Sequence, residues 1–150
     1  MNSSLMLKRI GWWFMVLSVS GAVACSGNKA DEPMTVVVGD VFTVGMGKTA
    51  VLPNENLTIT FDSVLEDSRC PTNVDCFWSG QARVLVTVQQ AEDKALDLEF
   101  NTNPAPDMNQ QSLAAGSYVI VLQSLDPYPQ EADKAIEAEE YRLTLQVTQP

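Results

Sequence analysis

The stretch LTITFDSVL, residues 57–65, places Leu57, Ile59, Phe61, Ser63 and Leu65 on one face of an extended chain, and Thr58, Thr60, Asp62 and Val64 on the other. A period of two marks a half-buried β-strand. The same rhythm returns on both sides. ARVLVTVQQ, residues 82–90, groups Val84, Val86 and Val88, and KALDLEF, residues 94–100, groups Leu96, Leu98 and Phe100, with AED between them as a hairpin loop. Upstream, TVVV, VFTVG and KTAVL are short β-branched runs cut by turn residues. Downstream, SYVIVLQSL and EYRLTLQVT repeat the theme through Val119, Val121, Leu143, Leu145 and Val147. About seven or eight short strands of this spacing predict an all-β domain, an antiparallel β-sandwich or a small barrel. QEADKAIEAEE, residues 130–140, has the composition of a short helix, but with only Ala and Ile as apolar members it is a solvated surface helix or an acidic loop.

The N-terminus follows a different logic. Lys8 and Arg9 precede an apolar run from Ile10 to Ala24, and small residues lead into Cys25. This is the layout of a secretory signal peptide. The run is fifteen residues long, short of the roughly 20 that a bilayer-spanning helix needs. Ala22-Val23-Ala24-Cys25 resembles the lipobox of bacterial lipoproteins, with Ala22 where leucine is usual. The resemblance implies cleavage before Cys25 and acylation of that cysteine, since several acyl chains anchor a soluble domain where one does not. Ser26 lacks the aspartate of inner-membrane retention, so the expectation is an outer-membrane lipoprotein facing the periplasm. Residues 1–24 are then the signal, 25–34 the lipidated cysteine with a polar tether, and 35–150 a single β-domain.

Loss of Lys8 and Arg9 with the signal leaves seven basic side chains against nineteen acidic ones, a charge of −12. Such a surface repels phosphate backbones and anionic headgroups, which excludes nucleic acid as a partner and favours solubility or a cationic partner. The chain has no histidine. Ser-His-Asp and Cys-His catalysis and histidine-bearing zinc sites are therefore excluded, and a non-enzymatic protein without cofactor or metal is expected. An enzyme built on carboxylates or calcium is the minor alternative. Glu66 and Asp67, being adjacent on a strand, cannot serve together as acid and base.

Beyond Cys25 the only cysteines are Cys70 and Cys76, in DSRCPTNVDCFWSG, residues 67–80. In an exported protein such a pair is expected to form a disulfide. Zinc motifs use closer spacing and usually four ligands, and the C-x-x-C redox spacing is absent. Asp67, Arg69 and Trp78 flank the staple and carry two readings. Arg69 pairs with a neighbouring carboxylate while Trp78 packs beneath the loop, or the rigidified loop presents all three to a partner, Arg and Trp being favoured hot-spot types.

EDSRCPTNVDCFWSGQARVLV, residues 66–86, resembles a motif of small, mostly uncharacterised bacterial secreted proteins and lipoproteins: DSRCP, a few residues, then C, one residue, W, a small residue and G. Ser79 stands where the group often has alanine. VFTVGMGKTAVLPNENLTITF upstream, and YVIVLQSLDPYP with EYRLTLQV downstream, extend the likeness over about residues 40–148. It implies a shared fold and disulfide and carries no activity. The functional expectation is a lipid-anchored periplasmic module binding a protein or envelope component through the face with the stapled loop. The alternative is an inhibitor of a hydrolase, with the loop in a protease cleft or the acidic surface over a basic enzyme such as lysozyme.

Overall fold

A computed structural model describes residues 32–104 and 110–150; the signal segment, Cys25 and most of the tether lie outside them. The described residues form nine strands: β1 Met34–Thr35, β2 Val41–Gly45, β3 Thr49–Leu52, β4 Leu57–Asp67, β5 Ala82–Gln90, β6 Leu96–Asn101, β7 Ser112–Ala115, β8 Tyr118–Asp126 and β9 Arg142–Thr148. They make two sheets, ordered β1-β3-β4-β5-β6 and β2-β9-β8-β7. Only the β1–β3 pair is parallel. Both sheets keep free edges, so the expected sandwich, not a barrel, is the architecture. Met34, assigned to the tether by composition, already pairs with Ala50.

The core is what the alternation predicts, with instructive slips. Leu57, Ile59 and Phe61 of β4, Val84, Val86 and Val88 of β5, and Leu143, Leu145 and Val147 of β9 all face inward. Within β4 the register shifts between Phe61 and Ser63 and again between Val64 and Glu66. A bulge reverses side-chain parity, so Val64 packs against the core while Leu65 is exposed. In β8 the inward residues are Tyr118, Ile120, Leu122 and Leu125, which corrects the expectation for Val119 and Val121. Leu96, expected inside, is exposed at the start of β6. Residues 130–140 form no α-helix: a single 3-10 turn, Ala138–Glu140, closes on a capping box between Glu137 and Glu140.

Strand direction gathers the connections that matter. The strand pairings run β2, β4, β6 and β8 toward one end of the sandwich, so the turns after them, including residues 68–81 and 127–141, cluster there.

Candidate functional site

The stapled loop is the tip of the β4–β5 hairpin. Pairing continues past the strand ends, with Ser68 N–H donating to Gln81 O and Cys70 N–H to Ser79 O, both at 2.8 Å. Gly80 sits on this neck at φ +69°, and a Cβ there would lie 1.9 Å from the carbonyl oxygen of Ser68. The neck is also held from outside, because the Asn103 amide donates to Ser79 Oγ at 2.9 Å and to Gly80 O at 3.0 Å. Cys70 and Cys76 are joined, their Cα atoms 6.0 Å apart. So short a ring removes little entropy from the unfolded chain, and Cys70→Ala with Cys76→Ala is expected to lower stability by about 2 kcal/mol or less, read as a modest fall in Tm of a domain that still folds.

Arg69, between the neck and the ring, is 7% exposed. It grips Asp67 as a fork, Nε to Oδ1 at 2.8 Å and Nη2 to Oδ2 at 2.6 Å. Across the sandwich its Nη1 donates to Leu125 O at 2.6 Å and its Nη2 to Pro127 O at 2.9 Å, at the end of β8. The guanidinium lies over the Tyr128 ring, 5.1 Å from its centre, a cation–π geometry. Tyr141 completes the group by donating its hydroxyl to Asp67 Oδ2 at 3.0 Å. One side chain thus bolts the hairpin of the first sheet to β8 of the second.

Two titrations follow from this group. Burial pushes the Asp67 carboxyl up, but the Arg69 hydrogen bonds and charge, with the Tyr141 hydroxyl, outweigh it and hold the group below its ordinary 3.8. A depressed acid adds stability that is complete above the unfolded value and lost as pH falls through the folded one. Unfolding free energy should therefore drop with acidification below pH 3.8, and Asp67→Asn should flatten that limb. The Tyr141 phenol is pushed from 10.0 to about 12, by burial first and then by the Asp67 charge. Between those values the unfolded chain ionises and the folded one does not, so stability falls as pH rises from 10 toward 12. Melting of Tyr141→Phe across that range should lack this loss.

Of the three residues flagged beside the staple, Asp67 and Arg69 are enclosed as an ion pair, their side chains 10% and 5% exposed. Trp78 does not pack beneath the loop; it is 58% exposed, which corrects the lid reading. Its neighbour Phe77, not singled out from the sequence, is fully exposed, and Val74 within the ring and Tyr128 beside it are exposed as well. Two adjacent aromatics with no strand pattern around them were the available signal, because consecutive side chains on a strand cannot both escape the core unless the sheet has ended.

Next to this apolar tip is a cleft of about 390 Å³, lined by Ser79, Asn103, Gln111, Gln123, Asp126 and Tyr128 among others, amide- and hydroxyl-rich over a Leu122–Leu125 floor. Among the described residues no group of three or more Cys, Asp or Glu side chains is arranged to hold a metal ion. Compared with protein-family models, curated proteins and solved structures, the chain matches none.

Proposed function

We propose that the protein is a non-enzymatic binding module, lipid-anchored through Cys25 to the periplasmic face of the outer membrane, that captures a protein or cell-envelope component with its stapled loop. The observation that carries the reading is the exposure of Phe77 and Trp78 on a segment that cannot relax to hide them. The disulfide closes the ring, Arg69 bolts its base, and Thr72 fixes its flank to Pro129 O and Gln130 O at 3.1 and 3.2 Å. Rigid aromatics lose little entropy on docking. Membership of the DSRCP group, on the residues quoted above, is part of the proposal and brings no activity with it.

The test separates binding from folding. Phe77→Ala and Trp78→Ala touch exposed side chains and should move stability by no more than about 0.5 kcal/mol. Each should weaken capture of an envelope partner, identified by mass spectrometry and confirmed with purified components, by about 2 kcal/mol. Unchanged capture by both variants would defeat the loop as the contact. Cys25→Ser should abolish acylation, and an unmodified mature N-terminus, or a Cys25→Ser protein still cleaved normally and still membrane-bound, would defeat the anchor. The second reading, hydrolase inhibition, draws on the exposure of residues 72–75 within the cinched ring, and a panel of purified proteases and lysozymes decides it.

A further inference from the structure

A second cleft, of about 630 Å³, runs between the stapled loop and the chain that follows β8, with Pro71, Val74 and Cys76 on one side and Pro129, Ala132 and Ile136 on the other. Ile136 packs against the core from below, so the groove has a fixed apolar floor. Glu131 and Asp133 line the same groove, and Lys134, next along the chain, lines it as well. Neither carboxylate is tied by a hydrogen bond or ion pair among the described residues. The acidic excess extends past the groove: residues 126–142 carry six carboxylates against Lys134 and Arg142, and Asp75 sits on the loop itself. Arg142 is already engaged by the carbonyls of Glu139 and Tyr141.

An apolar trough rimmed by two carboxylates against a single lysine, none of them in an ion pair among the described residues, selects a particular chemistry. Lysine and arginine lay their alkyl stems on apolar surface while the charged heads stay at a polar rim, and charge complementarity both steers such a partner and rejects anionic ones. We propose that this groove takes a lysine- or arginine-bearing segment of a protein partner, with its stems on Val74 and Ile136 and its heads at Glu131 and Asp133. The partner read by Phe77 and Trp78 is then a basic protein; the inference rests on the loop reading above.

The full-length protein, held in a non-ionic detergent, is titrated with three nonapeptides of alternating Lys-Val, Ser-Val and Glu-Val. Only the Lys-Val peptide should bind, and its affinity should fall roughly tenfold as salt shortens the screening length. Glu131→Gln with Asp133→Asn should reduce that affinity by about tenfold with Tm unchanged. Equal binding of the Ser-Val peptide, or indifference to the double change, overturns the proposal. A Phe77-dependent ligand that proves to be an envelope glycan or an acidic protein also overturns it, while leaving the loop reading in place. Lys-Val binding through Glu131 and Asp133, with partner capture indifferent to Phe77 and Trp78, supports the groove and removes the loop.

Discussion

Arg69→Ala is expected to destabilise the fold by about 3 to 5 kcal/mol, the usual result of removing one partner from an enclosed ion pair. The loss has three physical parts. Asp67 is left as a desolvated charge without its counter-ion, the Leu125 and Pro127 carbonyls lose their donor, and the contact with Tyr128 disappears. Arg69→Lys should recover only part of this, because an ammonium cannot reproduce the planar fork that reaches Asp67 and two carbonyls at once. Denaturant unfolding of the three proteins measures it, and an Arg69→Ala domain as stable as the parent would show that the bolt between the sheets contributes nothing. Arg69 is therefore a poor choice for probing recognition, since its variants would lose binding by loosening the loop.

Gly80→Ala is expected to be comparably harmful, at about 2 to 5 kcal/mol. Left-handed backbone at φ +69° costs an L-residue about 1 to 2 kcal/mol, and forcing extra volume into a packed site adds about 1 to 3 kcal/mol. Here the obstacle is the Ser68 carbonyl, a backbone atom that cannot swing aside as a side-chain end would. Gly39 and Gly47 also have positive φ, but a methyl group added at either would meet nothing within 4 Å, so Gly39→Ala should bear the conformational cost alone. Comparing the two midpoints isolates the steric part, and equal losses would refute the close approach at the neck.

Alternation named most of the strands and most of the core because one face of β4, β5 and β9 is apolar and the other is not. It failed in β8, where Val119, Ile120, Val121 and Leu122 are all apolar and either parity satisfies the pattern. It missed β7, whose Ser-Leu-Ala-Ala has no contrast between faces, and it could not foresee the β4 bulge that turns Leu65 outward. The disulfide was legible from the cysteine count together with the expectation of export. The enclosure of Arg69 was not, because its deciding partners are main-chain oxygens of Leu125 and Pro127, and a carbonyl leaves no trace in side-chain identity. Phe77 escaped for a related reason: an aromatic beside a cysteine reads as core unless the end of the sheet is known, and only its pairing with Trp78 hints otherwise.

The placement of Trp78 also governs how the molecule can be watched. Once residues 1–24 are removed, as proposed, it is the sole indole, and it is already more than half in water when the chain is folded. Its fluorescence in the native state should resemble that of the denatured chain, so intrinsic emission is nearly blind to unfolding. The same property makes it a selective optical label for the loop: a blue shift on adding a tryptophan-free partner would arise at residue 78.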